Sequence, residues 1–278
     1  MRTVELADGT SVPMLGQGTW MMGETGARHG EEVAALRRGI ELGMTLIDTA
    51  EIYGDGASEE LVGEAIEGLR DDVFLVSKVA PSHASRRGTV AACEASLARL
   101  GTDRLDLYLL HWRGRFPLGE TVAAMEDLID AGKILRWGVS NFDVSDMEEL
   151  MEVDGGRACA VNQILLNLDH RGPEFDLLPW LDERIVAPMA YSPIGQGGAL
   201  LRRPELREVA ERHDKTPAQI ALAYTLRWPG VLSIPKAGTL AHVEENAAAA
   251  DIRLDAEDWA LLDEAFPPPE RKMPLAMI

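Results

Sequence analysis

Gly43-Met44-Thr45-Leu46-Ile47-Asp48-Thr49-Ala50-Glu51-Ile52-Tyr53-Gly54 is the stretch on which the fold and the chemistry of this chain turn. Thr45-Leu46-Ile47 is a short, branched, apolar run of the kind that forms a buried strand. Asp48 closes it, and a tyrosine follows five residues later. A carboxylate at the mouth of a buried strand is costly unless a cation meets it. Of the 27 cationic residues only five are lysines, at 78, 133, 215, 236 and 272. Two of them, Lys78 and Lys236, end apolar strands, so one of these is expected to meet Asp48.

Outward from this stretch, one unit recurs: a short apolar strand, a loop, an amphipathic helix. Strands are predicted over 15–19, 44–47, 73–78, 105–111, 134–140, 158–163, 185–190 and 231–234. The helices that follow them are predicted over 31–42, 58–69, 86–100, 118–131, 143–151, 173–181, 204–213 with 217–226, and 240–249. Ser58 is expected to cap the second helix, with Glu59 and Glu60 in its first turn. A further helix is predicted over 256–265, before Pro267-Pro268-Pro269 and a short tail. Ahead of the first strand, residues 4–12 read as a hairpin around Asp8-Gly9.

Strands alternating with helices make parallel sheets by right-handed crossovers. Eight such units in 278 residues predict a closed (β/α)₈ barrel over residues 1–278, with the hairpin as a bottom plug and two extra helices. The alternative, an open doubly wound sheet, calls for a phosphate loop after its first strand. Gly16-Gln17-Gly18 and Gly54-Asp55-Gly56 lack the third glycine, since Met21 and Glu59 stand at that spacing.

Composition narrows the function. Net charge is −19, which argues against nucleic acid or an anionic membrane as a partner, since both need a basic face, and hydrophobic residues, at 46% of the chain, are ample for a globular core. No apolar run approaches the roughly 18 residues of a membrane span. The N-terminus lacks the apolar segment of a signal peptide, so a cytoplasmic location is expected. Cys93 and Cys159 read as small core residues, and the histidines other than His111 (His29, His83, His170, His213, His242) lack ligand spacing, so no metal site is expected.

The polar residues that close successive strands are Asp48, Lys78, His111, Ser140-Asn141, Gln163, Tyr191 and Lys236. In a barrel they share one rim, where barrel enzymes place their chemistry. Each alone is more simply a core or capping residue, but a whole series in successive units is not. A tyrosine with an ordinary pKa of about 10 shuttles protons poorly at neutral pH. An ammonium beside it is expected to stabilise the phenolate and lower that value, and Asp48 would keep Lys78 charged. His111 would donate to, or polarise, an oxygen held near Tyr53. The four make a proton-donating site for a carbonyl oxygen. A Schiff-base aldolase would also use Lys78 and Asp48, but leaves Gln163 and Tyr191 without a role.

The sequence resembles an aldo-keto reductase over essentially its whole length. The motifs are GMTLIDTAEIYG at 43–54, LVSKV at 75–79, DLYLLHW at 106–112, WGVSNF at 137–142, VNQ at 161–163, AYSPIGQGG at 190–198 and IPKAGTLAHVEEN at 234–246. Within the family it is most similar to the compact bacterial branch that reduces methylglyoxal and other small aldehydes. The resemblance implies Asp48, Tyr53, Lys78 and His111 as a catalytic tetrad. It implies Ser140, Asn141 and Gln163 as contacts of a nicotinamide carboxamide, and Tyr191 stacked on the nicotinamide ring. Ser192, Ile194 and Gly195 match the pyrophosphate contacts, and Glu245 and Asn246 the adenosine end.

The chain departs from the family at the 2′-phosphate. Lys236 matches the lysine that receives it, but Ala237 replaces the usual serine and His242 the usual arginine. A bidentate clamp is thereby lost, so NADPH is expected with NADH possible. Trp20, Met22 and Trp112, together with Tyr53 and His111, are expected to form the wall around a small carbonyl substrate, with Trp137 and Trp180 in the packing. Relatives of the family usually act as monomers. Some serve as NADPH-binding regulatory channel subunits, a second reading that the complete tetrad speaks against.

Overall fold

The computed structural model describes residues 1–278. Its first two strands, β1 (Thr3–Glu5) and β2 (Ser11–Pro13), form the antiparallel hairpin expected from the sequence. The turn is held by Asp8, whose carboxylate accepts from the Thr10 amide at 2.9 Å, and by Gly9 at φ 84°. Val4, Leu6, Val12 and Met14 are buried against Leu46, Val76, Leu107 and Leu109. These are barrel-interior side chains, so the hairpin plugs one end.

Eight further strands follow in parallel: β3 (Gln17–Gly18), β4 (Leu46–Asp48), β5 (Phe74–Val79), β6 (Leu107–Leu110), β7 (Trp137–Ser140), β8 (Val161–Leu165), β9 (Ala187–Tyr191) and β10 (Leu232–Ile234). Each pairs with the next in chain order. The ring closes where β3 meets β10, through bridges Leu15↔Ser233 and Gly18↔Lys236. A Cβ on Gly18 would lie 2.8 Å from the Ile234 carbonyl oxygen, so this seam needs a bare backbone. Strand residues alternate between two apolar environments, as in a parallel sheet covered on both faces. Leu46, Val76, Leu107, Val161 and Met189 fill the interior. Ile47, Leu75, Tyr108, Leu110 and Ile164 face the helices.

The helices are α1 (His29–Glu41), α2 (Ala57–Ala65), α3 (Arg86–Leu100), α4 (Leu118–Asp130), α5 (Val144–Glu152), α6 (Leu177–Glu183), α7 (Pro204–Arg212), α8 (Pro217–Thr225), α9 (Leu240–Ala247) and α10 (Ala256–Ala265). Their starts are chemically marked: Ser85 caps α3, and Asp143, Thr216 and Asp255 form reciprocal capping boxes on α5, α8 and α10. The two extra helices, α7 and α10, share a separate apolar cluster with α8. No helix is long and apolar enough to cross a membrane.

Three sequence expectations shift. Ser58 does not cap α2, which starts at Ala57 after the left-handed Gly56 (φ 96°) and ends at Ala65, short of residue 69. The Ser58 hydroxyl instead turns inward to Thr19 Oγ1 (2.8 Å) and Thr49 Oγ1 (3.1 Å), tying together the loops after β3 and β4. The helix expected over 173–181 divides into a tight turn at Gly172–Glu174 and α6. Arg171 clamps the Glu174 carboxylate at 3.0 and 2.8 Å and fixes that turn. The first barrel strand is only Gln17–Gly18, and Thr19 beyond it meets the Asp48 carbonyl with both its amide, at 3.0 Å, and its hydroxyl, at 2.9 Å.

Candidate active site

The strand ends converge on one rim, and at its centre stands Lys78, the next-to-last residue of β5. Its side chain is fully buried. The ammonium donates to Asp48 Oδ2 at 2.8 Å, to the Thr49 carbonyl at 2.8 Å and to the Tyr53 hydroxyl at 3.2 Å. Three donors therefore meet three acceptors, the condition under which a buried charge is tolerable. Asp48 is equally enclosed, and its other oxygen accepts from Gln163 Nε2 at 2.7 Å. With both oxygens accepting N–H groups, Asp48 is a carboxylate and the pair is ionic.

The titration of these groups follows from burial and from one another. Burial pushes the Asp48 carboxyl up, against the pull of Lys78. Burial also opposes the Lys78 charge, but Asp48 and Tyr53 outweigh it and hold the proton more firmly than in water. For Tyr53 the sequence expectation is overturned. Burial raises its pKa above the ordinary phenol value by more than Lys78 lowers it, and Asp48 adds to the rise. The phenol is thus a proton-loaded acid, not a partly ionised one.

His111 lies against Tyr53, ring centroids 5.7 Å apart at 75°, and against Trp112 at 4.9 Å. Burial, then the Lys78 ammonium, push its pKa down to about 2, so the imidazole is neutral. Nδ1 is buried with no hydrogen-bond partner. A lone pair left there costs less than an N–H left there, which places the proton on Nε2 as the available donor.

Around this centre a second ring of polar residues is pinned. Asn141, in the left-handed region at φ 61° that asparagine tolerates, donates to the His111 carbonyl at 3.2 Å and to Ser140 Oγ at 3.1 Å. Its oxygen accepts from the Tyr191 hydroxyl at 2.9 Å, fixing that ring at the end of β9. Ser140 Oγ donates to the Gln163 carbonyl at 2.9 Å. Ser192, at φ 47°, is held by Asn167, which donates to its carbonyl at 2.8 Å. Ile194 and Gly195 continue that loop, and Gly195 at φ 58° packs so closely on Leu200 that a Cβ would lie 3.0 Å away.

At the seam, Lys236 follows β10, and His242 is exposed in the first turn of α9. Glu245 accepts from the Thr216 hydroxyl, and Asn246 is buried beside it in the same helix. Trp20 and Trp112 are exposed at the mouth, but Met22 is not. It is fully buried among Ile47, Leu61 and Val62, and cannot form a substrate wall. The exposed methionine is Met21, whose positive φ of 63° turns the chain so that one side chain faces out and the next in. Trp137 and Trp180 are packed in the helix layer as expected.

Two residues make contacts at the site that the sequence did not show. Gln163 is a ligand of Asp48, and Glu51 accepts from the Ala80 amide at 2.6 Å and pairs with the His83 ring at 3.0 Å. Glu51 thus clasps the loop beyond Lys78 to the loop bearing Tyr53. Its place inside the opening stretch, between Asp48 and Tyr53, was the available signal. No group of three or more His, Cys, Asp or Glu side chains is arranged to hold a metal ion.

Comparison with known proteins bears on this geometry. The model of the aldo/keto reductase family matches residues 14–266. Methylglyoxal reductase YeaE of Escherichia coli (strain K12) is 52% identical, covering 100% of this chain and 99% of that protein. Glyoxal reductase of Bacillus subtilis (strain 168) is 37% identical, with 94% of this chain and 91% of that one covered. Among solved structures, an aldo-keto reductase from Klebsiella pneumoniae in complex with NADPH superposes with a TM-score of 0.98 at 52% identity, covering 100% of this chain and 99% of that one.

Proposed function

Because this chain belongs to the aldo/keto reductase family, we propose that it is an NADPH-dependent reductase of small aldehydes and ketones, methylglyoxal among them. One observation carries the reading: a phenol held 3.2 Å from a fully buried ammonium that is itself locked to Asp48 at 2.8 Å. That arrangement stores a proton at the mouth and stabilises the anion left when it departs.

The residues present fit the cofactor. The loop over Ser192, Ile194 and Gly195 is a tight glycine-rich turn, held by the Gly195 amide donating to the Ser192 carbonyl at 3.0 Å, of the kind that lets backbone close on a pyrophosphate. The Tyr191 ring is fixed by Asn141, a flat wall on which a nicotinamide can stack. Ser140, Asn141 and Gln163 surround its carboxamide in this reading, and Lys236, His242, Glu245 and Asn246 hold the adenosine end. NADPH, when bound, supplies hydride to the carbonyl carbon. The protein contributes the rest. Nε2–H of neutral His111 donates to the carbonyl oxygen and orients it toward Tyr53. The Tyr53 hydroxyl gives that oxygen its proton, and Lys78 stabilises the phenolate, its own charge balanced by Asp48. Trp20, Trp112 and Met21 wall the entrance with apolar surface that suits flat or small carbonyl compounds.

The test is a steady-state assay following NADPH absorbance with methylglyoxal, a nitrobenzaldehyde and a sugar aldehyde. Saturable turnover of the small aldehydes, and slow oxidation of the matching alcohols with NADP⁺, is the expected result. Tight NADPH binding without turnover of any of them would refute it and favour a regulatory barrel.

A further inference from the structure

Gly238 lies in the loop between β10 and α9. A Cβ built on it would sit 2.7 Å from the Arg28 guanidinium, 3.4 Å from the Lys236 ammonium and 3.4 Å from a Glu32 carboxylate oxygen. Two cations from opposite ends of the chain thus come together over residue 238, where any side chain would collide with the guanidinium. Lys78, Lys133 and Lys272 each meet a carboxylate, whereas Lys215 and Lys236 meet none, and of these two only Lys236 lies at the barrel rim.

Arg28 is only loosely engaged, at 3.9 Å from the exposed Glu31 and 3.8 Å from Glu32. Glu32 is buried, and its second oxygen accepts from the Gly23 amide at 2.9 Å. The buried carboxylate therefore orients the guanidinium, both of its carboxylate neighbours stay beyond hydrogen-bond distance, and Lys236 pairs with neither. In a chain of net charge −19, two adjacent cations so loosely engaged mark a place for an anion. The space lies on the same rim as the tetrad: Lys236 bridges to Gly18, and Ile234 pairs with Tyr191.

We propose that Arg28, delivered by the loop between β3 and α1, completes with Lys236 a clamp for a phosphate monoester, the 2′-phosphate that NADPH carries and NADH lacks. It does the work that no arginine does at His242, which is exposed and one turn into α9. A planar guanidinium binds phosphate oxygens in pairs, which neither histidine nor a second lysine reproduces. The bare backbone of Gly238 is what lets it approach. This inference rests on the NADPH reading given above and names the residue that gives that reading its selectivity.

The experiment is calorimetric titration of the protein, Arg28→Ala and Arg28→Lys with 2′,5′-ADP and with 5′-AMP, which differ only in the 2′-phosphate. The natural protein is expected to prefer 2′,5′-ADP, more strongly at low salt. Arg28→Ala should shrink that preference by about 10- to 100-fold, with the affinity for 5′-AMP little changed, and Arg28→Lys should recover part of it. Arg28→Ala with the full preference intact overturns the assignment of Arg28 while leaving NADPH use standing. Equal binding of both nucleotides by the natural protein overturns the NADPH reading, and the clamp with it.

Discussion

Replacing Lys78 by methionine removes the cation from a buried pair and leaves its partner in place. Asp48 would keep one donor, Gln163 Nε2 at 2.7 Å, in surroundings where its side chain is only 3% exposed. Breaking a buried pair from one side costs about 3–5 kcal/mol, a large share of the roughly 5–15 kcal/mol that stabilises a folded protein. In a chain of this size that corresponds to a fall of about 10 °C in Tm. The loss is expected to depend on pH. Burial already raises the Asp48 carboxyl, and without Lys78 nothing positive opposes that rise.

A carboxyl whose folded pKa exceeds its unfolded value binds its proton more tightly in the native state. Its contribution to stability is present below the unfolded pKa and is lost as pH rises through the folded one. Lys78→Met should therefore be close to the natural protein near pH 4 and clearly weaker at pH 8. Adding Asp48→Asn removes the isolated charge, so the double variant should be more stable at pH 8 than Lys78→Met alone and should lose the pH slope. Calorimetric melts of the four proteins at the two pH values complete the cycle. Equal Tm values for Lys78→Met and the natural protein at pH 8, or a slope that persists in the double variant, would refute the buried ion pair.

Other outcomes follow from the same geometry. Tyr53→Phe should lower kcat by about 10²–10⁴ with NADPH affinity retained in a fluorescence titration. His111, with its pKa pushed down to about 2, contributes stability that is present above its unfolded value and lost as pH falls toward the folded one. His111→Gln should thus flatten the loss of Tm between pH 6 and pH 4. The pH profile of kcat/KM for the natural enzyme should show no histidine limb near 6.5. Met22→Ala should cost about 2–5 kcal/mol of stability through a core cavity and leave KM for small aldehydes alone, whereas Trp112→Ala should raise KM for aromatic aldehydes with little change in Tm.

The barrel and its rim were legible because both are written in one-dimensional patterns. Short apolar runs such as Leu46-Ile47 and Leu107-Tyr108-Leu109-Leu110, each followed by a loop and an amphipathic helix, read as strands buried on both faces, and the polar residue closing each run then lies at the rim. What the sequence could not show are relations between elements. Ser58 has the identity and position of a cap, but Thr19 and Thr49, brought in by other loops, offer its hydroxyl buried partners. Met21 and Met22 are adjacent and chemically equal; only the left-handed turn at Met21 decides which one is exposed. Arg28 lies far in sequence from Lys236, and the barrel's closure brings them together.

Tyr53 shows how such a relation changes the chemistry itself. An ammonium in contact with a phenol promises a lowered pKa when the two residues are considered alone. In the folded chain the same enclosure that neutralises Lys78 with Asp48 also strips water from the phenol, and the loss of hydration outweighs the ammonium. An acid held above neutral pH in this way is fully protonated before each turnover, so no population of enzyme waits unloaded. It still gives up its proton when charge develops on the substrate oxygen, because an alkoxide is a much stronger base than a phenolate. The ammonium at 3.2 Å then meets a full negative charge in a dry site, where their attraction is strong. Lys78 therefore acts mainly on the state that follows proton transfer, the differential stabilisation that lowers a barrier, and its removal should depress kcat more than it alters the pH at which activity is greatest.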